Sequence, residues 1–128
     1  MTTTYRPRVL VVDDDSSIRA LISIILESLN CDVVGEGKNG AEAVALFSEM
    51  KPDLVLLDVQ MPGMNGVMAL KKMLSMDSSA SIVMLTIVDD VNVADDCILA
   101  GAKDYIRKDR SPDALKARIA RATSVLGA

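Results

Sequence analysis

Histidine is absent from this chain, and cysteine occurs only twice, at Cys31 and Cys97. Without an imidazole, two thiols cannot build a Cys/His zinc centre alone. Both cysteines have apolar neighbours in sequence, which marks them as core thiols of a reducing compartment rather than a disulfide. No apolar run approaches the roughly eighteen residues of a membrane span, and the opening MTTTYRPR has no apolar segment, so no membrane role and a cytoplasmic location are expected. Basic charge is also short, with 14 Lys and Arg against 18 Asp and Glu and a net charge of −4. Nucleic acid is therefore an unpromising direct partner, because binding its backbone needs a basic face. Nucleotide loops are missing too: GEGKNG has no GK[ST], and VLVVDDD opens no glycine-rich dinucleotide fingerprint.

What remains is a chain of 128 residues, 50% of them apolar. That is enough for one hydrophobic core, and residues 1–128 are read as a single domain with a core spanning about 7–126. Arg8 to Val12 is a short β-branched run that stops at Asp13, Asp14 and Asp15. Behind it Ile18, Leu21, Ile22, Ile25, Leu26 and Leu29 recur at helical spacing, with Asp15 or Ser16 as the cap. The alternation repeats: CDVVGEG is followed by a stripe of Ala43, Leu46, Phe47 and Met50, and DLVLLD by Val67, Leu70 and Leu74. SIVMLT precedes a helix over 89–100 with Ala94, Cys97 and Ile98 facing inward, and KDYI precedes a last helix through Leu115, Ile119, Ala122 and Leu126. Strands three and four show almost no polar alternation, as strands covered on both faces do. Five strand and helix units in one domain make a doubly wound α/β fold around a parallel sheet.

Such sheets bind ligands beyond the C-terminal ends of their strands, where the strand order reverses. Asp13 and Asp14 follow strand one, Asp58 ends strand three, Thr86 ends strand four and Lys108 follows strand five. Three clustered carboxylates repel unless a cation or protons neutralise them. Oxygen ligands without histidine or thiolate favour Mg²⁺, with Mn²⁺ as a substitute. Asp58 is the candidate nucleophile, since a carboxylate can accept a phosphoryl group as an acyl phosphate. Lys108 and Thr86 would hold other phosphoryl oxygens, and the Gln60 carbonyl is a further candidate metal ligand. Each residue also has an ordinary reading. The aspartate triplet can be a helix cap with solvated neighbours, Asp58 a turn former, Thr86 a strand residue and Lys108 a surface lysine.

VLVVDDD, PDLVLLDVQMPGMNG, IVMLT and GAKDYIRKD together resemble the receiver domain of two-component response regulators, over nearly the whole chain. The resemblance implies a flavodoxin-like strand order 2-1-3-4-5 with helices on both faces. It implies that Asp58 takes a phosphoryl group from a histidine kinase or phosphotransfer protein. Asp14, Asp58 and the Gln60 carbonyl would bind Mg²⁺, with Asp13 acting mostly through water. Lys108 would hold phosphate, Thr86 would be the switch hydroxyl, and Tyr105 the switch aromatic, moving inward from a solvent-facing rotamer. As a residue of an ordinary strand, Tyr105 would need no such role. The surface of helix four, strand five and helix five would then act on an output protein or tethered output domain, or form a phosphorylation-dependent homodimer.

The sequence departs from that family in places. Asp109 stands where many members have proline after the lysine, and Ile87 is larger than the usual residue after the switch hydroxyl. Gln60 and Val88 flank the expected entry of attacking water, and an apolar Val88 cannot orient it. Gly63 and Gly66, with Pro62, suit the tight loop behind Asp58, and Gly101 suits a left-handed helix end. Met61, Met64, Met68 and Met73 are read as filling around the third helix. Two alternatives to a switch are weighed. An aspartate-nucleophile phosphohydrolase would need a second acid where Gln60 stands, so slow self-dephosphorylation is expected rather than turnover. A non-phosphorylated interaction module would be expected to lack part of the site.

Overall fold

The computed structural model describes residues 6–87 and 91–124, with the side chain of Val91 also left aside. Five strands, β1 (Arg8–Val12), β2 (Asp32–Gly37), β3 (Leu54–Asp58), β4 (Ile82–Thr86) and β5 (Asp104–Arg107), alternate with five helices. These are α1 (Ser16–Ser28), α2 (Gly40–Met50), α3 (Gly66–Met76), α4 (Val91–Ala100) and α5 (Pro112–Ser124). The sheet is wholly parallel in the order β2-β1-β3-β4-β5, as expected.

Alternate residues of each strand serve opposite faces. Leu10, Val12, Val55, Leu57, Ile82 and Met84 pack with Phe47, Leu70, Met73 and Cys97 in one buried cluster, under α2, α3 and α4. Val9, Val11, Leu56, Val83, Leu85 and Ile106 pack with Ile22, Leu26, Leu115 and Ile119 in the other, under α1 and α5. The near absence of polar alternation in β3 and β4 has this double coverage as its cause. Every residue of both strands is buried.

Local chemistry fixes where the helices begin. The Asp15 carboxylate accepts from the backbone N–H of Ser17 and Ile18 to cap α1, while Asn39 and Asn65 cap α2 and α3 through Glu42 and Met68. Both cysteines are buried and free. Gly101 ends α4 at φ +115°, a left-handed position that favours glycine.

Two expectations need correction, Met68 as filling around the third helix and Ile98 as part of an inward face. Met68 is 56% exposed and Ile98 48% exposed, so neither fills the core. In α3 the buried positions are Ala69, Leu70 and Met73, and in α4 Cys97 is buried with Val93 and Ala100 packed beside it. Each helix covers the sheet on one stripe only, and these two residues fall just outside that stripe. Val88, the start of the expected helix over 89–100 and Leu126 lie outside the described residues.

Candidate functional site

The strand order reverses between β1 and β3, and the acidic residues gather at the C-terminal ends of those two strands. Asp13 directly follows β1, tied to β2 by its N–H to the Gly37 carbonyl at 3.0 Å. Asp58 is the last residue of β3 and pairs with Leu85 of β4. Lys108 follows β5, and its N–H donates to the Thr86 carbonyl at 2.8 Å, which draws the ends of β4 and β5 together.

One carboxylate oxygen from each of Asp13, Asp14 and Asp58 lies within 4.8 Å of the others. Asp13 and Asp58 are buried, and Asp14 is exposed at the mouth. Lys108, itself buried, places Nζ 2.5 Å from Asp13 Oδ2 and 3.2 Å from Asp58 Oδ2. The second oxygen of each buried acid has a backbone donor: Asp15 N–H reaches Asp13 Oδ1 at 2.9 Å and Gln60 N–H reaches Asp58 Oδ1 at 3.3 Å.

Burial, with the neighbouring Asp13 charge as the next cause, pushes the Asp58 carboxyl up to about 6 against the pull of Lys108. Burial also works against the Lys108 charge, but the two carboxylates outweigh it and hold the ammonium above its ordinary value. One ammonium among three acids leaves the crevice short of positive charge. That deficit, an all-oxygen donor set and one solvent-facing acid fit a hard divalent cation that keeps several waters, as Mg²⁺ does.

The remaining expected site residues are close by in the fold. Thr86 is buried at the end of β4, one position beyond the Leu85 that pairs with Asp58. Tyr105 does not stand fully in solvent: it is half-buried on β5 and packs against the cluster under α2, α3 and α4. The Gln60 side chain is exposed, and its main-chain N–H holds Asp58. Ile87 is 57% exposed beside Thr86. Asp109 forms a two-point ion pair with Arg107 at 2.7 and 3.0 Å, and no cis peptide bond occurs among the described residues.

The loop after Asp58 is set by close approach. A Cβ on Gly66 would collide with the Asp58 carbonyl oxygen and stand 2.8 Å from Val59 Cα, while Gly63 adopts φ +76°. Sequence reasoning missed Arg19, whose guanidinium Nη1 donates to the Asp13 carbonyl at 2.6 Å and Nε to Glu36 Oε1 at 3.3 Å. Its only sequence signal is its place one turn into the helix that follows the aspartates.

Comparison with known proteins agrees with this geometry. The family model described as a response regulator receiver domain matches residues 9–120. The chemotaxis protein CheY of Thermotoga maritima is 39% identical over 105 residues, which cover 82% of this chain and 88% of that protein. The DNA-binding response regulator MtrA of Mycobacterium tuberculosis H37Rv is 42% identical over 118 residues, covering 91% of this chain but 50% of MtrA. Among solved structures, a CheX-CheY-BeF3-Mg²⁺ complex from Borrelia burgdorferi superposes with a TM-score of 0.85 at 25% identity, covering 94% of this chain and 89% of that one.

Proposed function

The chain belongs to the response regulator receiver domain family, and on that premise we propose that Asp58 is the residue at which its phosphorylation switch operates. The acidic cluster is poised for Mg²⁺-dependent phosphorylation, so the protein is a signalling switch and a phosphoacceptor rather than a turnover enzyme. The observation that carries the assignment is the buried Asp58 carboxylate, held at a strand end between a lysine and two further acids.

An Asp58 oxygen attacks the phosphorus of the donor in line, the new O–P bond forms, and the donor's leaving group departs with the electron pair of the broken bond. Mg²⁺, held by Asp13, Asp14, Asp58 and the Gln60 carbonyl, would supply positive charge to the phosphoryl oxygens. Mn²⁺ has the same preference for oxygen ligands and would substitute. Lys108 already bridges Asp13 and Asp58, so its ammonium stands beside the Asp58 carboxylate that becomes the acyl phosphate, where it can pair with an oxygen of the incoming phosphoryl group. The Thr86 hydroxyl satisfies a phosphoryl oxygen by moving toward it, and the room it leaves draws Tyr105 further in from its half-buried place. Lost phosphate returns the site to its resting form slowly, since no second acid stands at Gln60 to drive release.

The family's architecture has a kinase input and an output partner. For this chain the input is a histidine kinase or phosphotransfer protein, and the output is a separate protein, a tethered domain or a second copy. The surface of α4, β5 and α5 carries the change. Intact-protein mass after treatment with phosphoramidate and Mg²⁺ tests the assignment. One added phosphoryl group is expected, absent in Asp58→Ala and absent with chelator. An equal adduct in Asp58→Ala would refute it, and no adduct in the folded parent protein would favour a silent interaction module.

A further inference from the structure

Asp13 is held by three elements at once. Its Oδ1 takes the Asp15 N–H of its own loop, its Oδ2 takes Lys108 from the end of β5, and its carbonyl takes Arg19 from α1. Arg19 is anchored on its far side by Glu36 of β2, and its side chain is 18% exposed. Because Val12 is the last residue of β1, the Asp13 carbonyl lies at the end of the ladder, where the chain must turn toward α1.

We propose that Arg19 is a positioning residue for the divalent cation, one that fixes the turn carrying Asp13 and Asp14 by holding the Asp13 carbonyl. The inference rests on the cation site proposed above and extends it to a residue that touches no ligand. Two features separate this role from a surface ion pair. The guanidinium engages a main-chain oxygen, so it orders the loop without itself occupying a carboxylate oxygen of the cluster. The Glu36 carboxylate is 47% exposed, so that contact is worth little as an ion pair and serves to aim the guanidinium. Partners that orient metal ligands commonly govern affinity by about ten-fold or more.

The test is Mg²⁺ affinity by titration calorimetry on the parent chain and on Arg19→Ala, Arg19→Lys and Glu36→Gln, with thermal melts in Mg²⁺-free buffer. Arg19→Ala is expected to bind Mg²⁺ about ten-fold more weakly yet to reach the parent's extent of phosphorylation at saturating Mg²⁺. Arg19→Lys, with one point of attachment, is expected to restore part of the affinity, and Glu36→Gln to lose part of it. A lower melting temperature with unchanged Mg²⁺ affinity would make Arg19 merely structural and overturn the proposal. If Arg19→Ala does not fold, unchanged affinity in both other variants overturns it equally. A parent chain that binds no Mg²⁺ would remove the cation site itself, an outcome the calorimetry separates from failure of Arg19 alone.

Discussion

At the scale of single residues, the crevice stores unfavourable negative charge that a bound cation would relieve. In the cation-free protein the Asp58 carboxyl titrates at about 6 against an ordinary 3.8, so folding favours its protonated form. This contribution is fully present below about 3.8 and is lost as pH rises through about 6. The gap corresponds to at most about 3 kcal/mol. Asp58→Asn is therefore expected to melt higher than the parent at pH 7 in Mg²⁺-free buffer, with the advantage shrinking as pH falls toward 4; a gap that widens on acidification would contradict this. Removing Lys108 acts in the opposite direction, since Lys108→Ala leaves two buried acids without their ammonium. Breaking a buried pair in this way costs about 3–5 kcal/mol, and added Mg²⁺ should recover part of it in a denaturant titration. These acids and the lysine were readable because charged residues at the ends of apolar strands contradict the pattern around them. Arg19 was not, because an arginine on an amphipathic helix looks like any solvated cation until the fold brings Asp13 beside it.

At the scale of elements, strand ends and helix starts do the positioning. The strands were legible because burial on both faces leaves continuous apolar runs, and the start of α1 because Asp15 caps it. Helix faces were less so. Ile98 fits an apolar stripe by spacing and Met68 reads as filling around α3, but whether the sheet or a neighbouring helix reaches that far is a tertiary matter. Gly66 shows how closely α3 approaches the site: its missing Cβ lets the helix start against the Asp58 carbonyl. Gly66→Ala must push that carbonyl away, at a cost of about 1–3 kcal/mol. It should also reduce phosphoryl acceptance by phosphoramidate more than Gly63→Ala does, because Gly63→Ala, though strained at φ +76°, meets open space and presses on no part of Asp58. Equal acceptance in the two variants would show that the loop behind Asp58 tolerates displacement.

At the scale of the whole molecule, a bond formed at one end of the sheet has to alter a surface made by other elements. Neither the fold order nor the acidic cluster states how that happens; the ladder that joins Asp58 to β4 and Thr86 to β5 is the contiguous structure between the two. On phosphorylation the parent is expected to show amide shift changes around Tyr105 and α4 in two-dimensional NMR, and Thr86→Ala is expected to accept phosphate while losing them. Shifts unchanged by the substitution would remove Thr86 from the switch. The order of the sheet was legible only through likeness to a family, since local pattern says where strands lie and not which are neighbours. The most direct test of the central claim is to phosphorylate the chain with phosphoramidate and Mg²⁺, reduce it with borohydride, and sequence its peptides by mass. An acyl phosphate on Asp58 is reduced to homoserine, so homoserine at position 58 alone is the predicted result. Homoserine at Asp13 or Asp14, or an adduct that resists borohydride, would contradict Asp58 as the phosphoryl acceptor.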